Sequence, residues 1–318
     1  MIGKRILSPC FSPNLGGWRC SRSREKMRGF TLVEIIIVIV ITGILGGIVA
    51  IFIKAPIQQY FDVSRRSDMT DIADTALRRI GRDLRLALPN SVRISGSVSG
   101  NNSGSCTGSE ICYLEFLPTS VGGRYRVAGG GTNCPGSPSG EALDFTVADG
   151  CFGVLGGMPT GFTTFAPGDT DKVAIYNLGI NGANAYAGDN TAAVKTSTSN
   201  ANIINLTAGK LFPFESPSAR FDIINQPVSY VCNPTLGTLT RVSGYSITPT
   251  QPTTTFPAGN QQNLLAKNLT NCSFTYDASV VAQRSGLVTM SLTITEANPS
   301  SSSEKVTLYN SVHVSNLP

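Results

Sequence analysis

One apolar segment near the N-terminus limits how this chain can fold. Residues 30–53 form a run of 24 residues in which Glu34 is the only ionisable side chain. A helix of that length crosses the hydrocarbon core of a bilayer. A carboxylate inside lipid is costly and usually marks a function. We therefore expect a membrane-spanning helix in which Glu34 has a specific partner.

The distribution of charge predicts the orientation of this helix. Residues 1–29 carry seven basic side chains and one acidic side chain, whereas the rest of the chain carries 18 basic and 19 acidic ones. Basic flanks stay on the cytoplasmic side, so the N-terminus is expected in the cytoplasm and the body beyond the membrane. The body is almost neutral and lacks the positive surface that nucleic-acid binding requires. The apolar run is too long for an ordinary cleaved secretory signal.

The apolar pattern continues beyond the span. Apolar residues recur every three or four positions up to Pro89, which predicts an amphipathic helix ended by that proline. These positions are Met69, Ile72, Ala73, Ala76, Leu77, Ile80, Leu84 and Ala87. Arginines alternate with Asp74 and Asp83 off this stripe, which is typical of a solvated helix face paired with carboxylates.

The remaining chain has the pattern of β-strands. Residues 89–318 are rich in short alternating segments separated by Gly, Ser and Pro. Strands are predicted at residues 91–95, 111–117, 124–128, 142–147, 172–177, 219–225, 228–233, 237–242, 271–276, 287–295 and 304–314. The expected fold is α+β, with a long N-terminal helix packed on an antiparallel β-sheet domain. Its parts are a basic leader (1–29), a transmembrane helix (30–55), an amphipathic continuation (56–88) and a β-rich domain (89–318).

The cysteines predict disulfides beyond the membrane. Cys10 and Cys20 lie in the leader, and six others follow the span: Cys106, Cys112, Cys134, Cys151, Cys232 and Cys272. Six cysteines in an oxidising compartment indicate up to three disulfides, whose pairing the sequence leaves open. A Cys232–Cys272 bridge would join two predicted strands. Cys106 with Cys112 and Cys134 with Cys151 are the nearest remaining pairs in sequence.

We find no constellation of residues typical of an enzyme. His313 is the only histidine, and no nucleophile motif surrounds it. With no CxxC pair, zinc binding is not expected. Asp169, Asp171 and Asp189 lie in glycine-rich loops and could bind calcium through their carboxylate oxygens, but they lack EF-hand spacing. The sequence therefore predicts a non-enzymatic protein without metal or cofactor.

The segment Arg28-Gly29-Phe30-Thr31-Leu32-Val33-Glu34, followed by an apolar helix, resembles the class III signal of type IV pilins and type II secretion pseudopilins. The resemblance implies cleavage by a prepilin peptidase between Gly29 and Phe30 and methylation of Phe30. It also implies that Glu34 of one subunit neutralises the Phe30 amine of a neighbour. The implied partners are the peptidase, other pilins or minor pilins through the N-terminal helix, and an inner-membrane assembly platform. Family leaders are often short, and Met27 as the start would leave residues 1–26 untranslated.

Four other segments resemble a minor pilin-like component of the mannose-sensitive haemagglutinin (MSHA) pilus system: residues 74–94, 264–277, 286–294 and 313–318. More loosely, they are similar to the J-type pseudopilin of type II secretion. The resemblance implies a minor structural subunit that spans the inner membrane once and then enters a cell-surface pilus. An adhesin head on the fibre is the alternative from another class. It would require the loops of residues 95–200 to form a pocket or an exposed aromatic patch.

Overall fold

The computed structural model describes residues 29–129, 131, 134, 140–278, 285–297 and 303–318. The predicted leader, including Cys10 and Cys20, lies outside this range except for Gly29. The described chain contains one long helix, α1 (Leu32–Leu84), followed by antiparallel strands. This confirms the α+β fold.

The chain divides into two compact units, residues 1–60 and residues 61–318. In the first unit, the described side chains of α1 are exposed, including the large apolar ones. The helix continues without interruption across Pro56. This part of α1 is long and apolar enough to span a membrane.

In the second unit, the apolar stripe of α1 is buried as its periodicity predicts. The stripe members with at most 2% exposure are Met69, Ala73, Ala76, Leu77, Ile80 and Leu84. Ile72 was assigned to the stripe wrongly, because its side chain remains 42% exposed. The helix ends at Leu84, four residues before the predicted end, and turn hydrogen bonds from Leu86 and Ala87 follow.

Within the described residues, fifteen strands follow α1. They are β1 (Arg93–Gly96), β2 (Ser105–Gly108), β3 (Cys112–Phe116), β4 (Thr119–Arg124), β5 (Asp149–Gly153), β6 (Lys172–Ala174), β7 (Thr191–Ala193), β8 (Ile203–Lys210), β9 (Arg220–Ile224), β10 (Val228–Asn233), β11 (Thr238–Ser243), β12 (Gln261–Lys267), β13 (Leu269–Asp277), β14 (Ser285–Glu296) and β15 (Glu304–Ser315). Residues 142–147, predicted as a strand, form none.

The strands form four antiparallel sheets. The five-stranded sheet has the order β1-β3-β10-β11-β12, and the C-terminal sheet has the order β15-β14-β13-β2. The second half of α1 packs with these two sheets around the main hydrophobic core. At Gly81 the helix comes so close to β15 that an added Cβ would lie 3.1 Å from Val312. A glycine in the helix therefore permits this contact.

The other two sheets surround a second hydrophobic core. One sheet has the order β4-β9-β6-β7 and the other pairs β5 with β8. Phe152 and Phe221 lie at the centre of this core, with their ring centroids 5.6 Å apart in an edge-to-face arrangement. Edge-to-face packing is a favoured geometry for aromatic pairs.

Three disulfides cross-link the second unit. They join Cys106 to Cys112, Cys134 to Cys151 and Cys232 to Cys272. The first connects β2 with β3, and the last connects β10 with β13. Two covalent links therefore tie the C-terminal sheet to the five-stranded sheet. These pairs are the ones considered from the sequence.

Candidate processing and assembly site

The junction between Gly29 and Phe30 lies just before the helix. Neither residue has regular secondary structure, and the Phe30 side chain is 79% exposed. A Cβ added at Gly29 would meet no atom within 4 Å. The fold itself therefore does not require glycine at this position, so any such requirement must come from another molecule that binds the junction.

Thr31 fixes the start of the helix. Its hydroxyl oxygen accepts a hydrogen bond from the Glu34 backbone N–H at 3.3 Å, and its carbonyl accepts one from Ile35 at 3.2 Å. The Thr-x-x-Glu spacing is that of a capping box. Sequence reasoning missed this role of Thr31, although the same four residues carried the signal. The cap places Glu34 in the first helical turn, where the helix dipole stabilises a negative charge.

Glu34 has no ion-pair partner within the described part of this chain. It is exposed at the beginning of an apolar helix surface. The structure therefore places Phe30 and Glu34 at the same end of one helix. A carboxylate in this position is available to a positive group on another molecule.

The opposite end of α1 is held by Asp83. Its Oδ2 accepts hydrogen bonds from the Tyr230 hydroxyl at 2.7 Å and from Arg241 Nε at 2.9 Å. Arg79 Nε lies 3.4 Å from the other carboxylate oxygen. Burial and the adjacent carboxylate raise the pKa of Tyr230 above its ordinary value, so its hydroxyl stays protonated and donates.

Asp83 was interpreted from the sequence as part of a solvated helix face. That interpretation is wrong for this residue, because its side chain is only 14% exposed and binds strands β10 and β11. It is correct for Asp74, which pairs with Arg78 at 2.6 Å in an exposed position. The helix face thus contains one solvated pair and one anchor to the five-stranded sheet.

The loop aspartates considered for calcium each organise a separate turn. Asp169 accepts hydrogen bonds from the backbone N–H and hydroxyl of Thr196, which lower its pKa. Asp171 accepts from Ala166 and Asn225, and Asp189 accepts from Gly182. His313, the single histidine, lies exposed on strand β15. None of these contacts creates a shared cation site.

One group of side chains in the described residues has metal-like spacing, namely Cys106, Glu110 and Cys112. The two sulfur atoms are bonded to each other, so neither is a thiolate ligand. Both Glu110 oxygens accept hydrogen bonds, from Ser99 among others. This group therefore fits a disulfide-closed turn rather than a metal centre.

Comparison with protein families gives a match at the N-terminal part of the chain. Residues 24–50 match the family described as the prokaryotic N-terminal methylation motif, a type IV pilin-like signal. No curated protein and no solved structure matches the chain. The matched residues contain the Gly29–Phe30 junction, the Thr31 cap, Glu34 and the first part of α1. The chain therefore carries a pilin-like signal joined to an apolar helix, and the match ends before the β-rich body.

Proposed function

We propose that this protein is a minor structural subunit of a type IV pilus of the MSHA type, taking part in pilus assembly or initiation. The observation that carries the proposal is the methylation motif at residues 24–50, set against a capped apolar helix that begins at Leu32. A structural role, rather than an enzymatic one, follows from a signal that leaves its apolar helix attached to the mature chain.

Processing takes place at the exposed junction. The prepilin peptidase cleaves after Gly29, and the new amine of Phe30 is methylated. Among the described residues, no atom lies within 4 Å of a Cβ added at Gly29, which supports access of the peptidase to the peptide bond. The mature protein then starts one residue before the Thr31 cap, with its positive amine beside the helix N-terminus.

Assembly uses the apolar surface of α1 and the charge of Glu34. The exposed apolar side chains require an apolar environment, which is the inner membrane before assembly and neighbouring subunits afterwards. With its N-terminus in the cytoplasm and α1 as its span, the subunit has its body in the periplasm until it enters a surface fibre. The Phe30 amine and a neighbour's Glu34 are each costly when alone in an apolar core, and together they fix the register.

The mass of the mature chain tests this function. The wild-type protein, isolated from cells that make the fibre, should begin at methylated Phe30. Gly29→Glu should remain full length in the inner membrane. Gly43→Ala is the matched control, because Gly43 also lacks any neighbour within 4 Å of an added Cβ and lies beyond the junction. Wild-type protein that retains its leader in piliated cells, or cleavage of the Gly29→Glu chain, would contradict the proposal.

A pseudopilin of type II secretion is the second candidate, since the same motif supports it. The two roles separate in a strain that lacks the gene. Loss of surface pili with normal protein secretion is expected for the first role. Loss of protein secretion with normal pili would instead indicate a pseudopilin of type II secretion. A ligand-binding head on the fibre is the third candidate, and it depends on a cleft in the β-rich body.

A further inference from the structure

The exposed side of residues 61–86, at the C-terminal end of α1, carries unpaired charges in two separate groups. Asp68 and Asp71 form the acidic group, and Arg82 and Arg85 form the basic group. We propose that this side, here called the split-charge face, docks on the split-charge face of a second copy of this chain that is displaced by 14 residues along the helix axis. The inference deepens the assembly role and rests on the proposed function, because it requires neighbouring subunits with parallel helices.

The spacing within the two groups is the same. Each group has two like charges three positions apart, and Asp68 precedes Arg82 by 14 residues, as Asp71 precedes Arg85. A helix rises about 1.5 Å per residue with about 3.6 residues per turn, so 14 residues correspond to about 21 Å and almost four whole turns. The two groups therefore lie on one side of the helix. A single displacement of a parallel copy brings both of its carboxylates level with both guanidinium groups.

The charges of the split-charge face form no ion pair with another described residue. The neighbouring charges of α1 are paired, since Arg78 binds Asp74 at 2.6 Å and Arg79 lies 3.4 Å from Asp83. Like charges three positions apart on a helix repel each other. The helix dipole favours basic residues in the last turn, but it does not account for two acidic residues in the middle of α1. An opposite charge on another molecule would relieve the repulsion in both groups.

An exposed apolar pair has the same separation. Ile72, the exception in the buried stripe, is 42% exposed, and Leu86 is 56% exposed. These two residues are also 14 positions apart, and each directly follows an acidic or a basic residue of the split-charge face. The displacement that aligns the charges therefore also brings Ile72 of one copy beside Leu86 of the other. Contact between these side chains would remove apolar surface from water.

The direction of the helices selects a parallel, displaced pair. Two subunits inserted in one membrane with cytoplasmic N-termini have helices that point the same way. Without displacement, the acidic group of each copy would lie beside the acidic group of the other, and like charges in contact disfavour a complex. Exposed ion pairs are individually weak. The split-charge face therefore fixes the axial register between two copies, while the apolar surface of α1 provides most of the affinity.

Cysteine cross-linking of the full chain in piliated cells measures the displacement. Ile72→Cys/Leu86→Cys replaces the wild-type chain, a short bis-maleimide joins thiols that lie close together, and mass spectrometry identifies the linked residues. The six cysteines of the body are paired in disulfides and do not react. Ser64→Cys/Leu86→Cys is the matched control, because Ser64 is exposed on the same helix but lies eight residues, or about 12 Å, from Ile72. We expect cross-links between two copies in the first variant and few in the control.

Charge reversal tests whether the charges cause the contact. Adding Asp68→Arg and Asp71→Arg to the Ile72→Cys/Leu86→Cys chain places basic groups beside basic groups. Each exposed ion pair contributes up to about fivefold, so the loss of two pairs together with the new repulsion should reduce cross-linking at least about tenfold. Adding Arg82→Asp and Arg85→Asp as well restores opposite charges and should restore most of the cross-linking. The four charged side chains are exposed, and near-UV circular dichroism checks that each variant is folded.

Three results would overturn the inference. They are equal cross-linking in the two cysteine variants, cross-linking that charge reversal leaves unchanged, and cross-links that join this chain only to a different subunit. Methylation of Phe30 and the presence of the chain in sheared fibres are measured in the same cells. If both persist without the expected cross-links, the proposed function stands and only this inference fails. If the wild-type chain is absent from the fibres, the proposed function fails, and cross-linking in the inner membrane still decides the inference.

Discussion

Removing the carboxylate of Asp83 should destabilise the β-rich body through a defined pair of contacts. Asp83→Ala leaves the Tyr230 hydroxyl and the Arg241 guanidinium without their shared acceptor. A hydrogen bond that involves a charged group contributes about 1.5–3 kcal/mol. Arg241 keeps its contact with the Ser243 hydroxyl at 3.1 Å and is 20% exposed, so water compensates part of the loss. We expect the free energy of unfolding to fall by about 2–4 kcal/mol.

Asp74→Ala is the matched control. Asp74 is also a helical aspartate, so the gain in helix propensity on mutation to alanine cancels in the comparison. Its ion pair with Arg78 is exposed, and such pairs contribute about 0–1 kcal/mol. Urea unfolding of the full chain in detergent measures both variants by near-UV circular dichroism of the tyrosines. Equal losses in the two variants, within about 0.5 kcal/mol, would refute the anchoring role of Asp83.

Three further perturbations have expected outcomes. Glu34→Leu should be inserted and cleaved normally but fail to enter the fibre, because an unpaired Phe30 amine costs about 3–5 kcal/mol; full piliation by this variant in a deletion strain would contradict it. Replacing Cys232 and Cys272 by serine should lower the free energy of unfolding by about 2–5 kcal/mol in urea titrations, and an unchanged midpoint would show that the bridge adds nothing. Burial raises the pKa of Asp222 from 3.8 to about 6, because the folded protein favours the protonated, uncharged carboxyl group. The contribution of this group to the free energy of unfolding is therefore fully present below about pH 4 and is lost as the pH rises through 6. Asp222→Asn should therefore stabilise the protein by about 1–3 kcal/mol at pH 7 and make its urea midpoint vary less between pH 4 and 7. If the midpoint of this variant varied with pH as strongly as that of the wild type, Asp222 would not be the group responsible.

The elements that could be predicted from the sequence are those with a strong local pattern. The apolar run and the i, i+3, i+4 stripe indicated the two parts of α1, and the alternation in residues 287–295 and 304–314 indicated β14 and β15. Strand β4 was missed because it contains Gly122 and Gly123. A Cβ added at Gly123 would lie 2.6 Å from the Phe221 ring, so the pairing of β4 with β9 requires glycine at this position. In sequence, consecutive glycines are typical of a loop, and they therefore hid the strand.

Strand β12 was missed for a different reason. It is an edge strand that begins with two glutamines, and most of its side chains are exposed, so apolar alternation is absent. Residues 142–147 gave the opposite error. Leu143 and Phe145 pack in or against the second core without joining a sheet, and apolar residues alone do not distinguish these cases.

The candidate sites also differ in whether their residues are close together in the sequence. The motif that contains Gly29, Phe30 and Glu34 could be predicted because it lies within seven consecutive residues. The cleavage, methylation and docking roles of these residues stay predictions. The Asp83 anchor could not be predicted, because its partners Tyr230 and Arg241 are separated from it by 147 and 158 residues.

The two disulfides between the sheets have a mechanical consequence. Residues 61–84 of α1 contact the five-stranded sheet through Asp83 and the C-terminal sheet near Gly81. A force transmitted along α1 therefore acts on both sheets, which share a hydrophobic core but have no strand pairing with each other among the described residues. The Cys106–Cys112 and Cys232–Cys272 bridges connect the same two sheets, so this displacement would require breaking covalent bonds. In a fibre under tension, such a body would stretch little before the subunits themselves came apart.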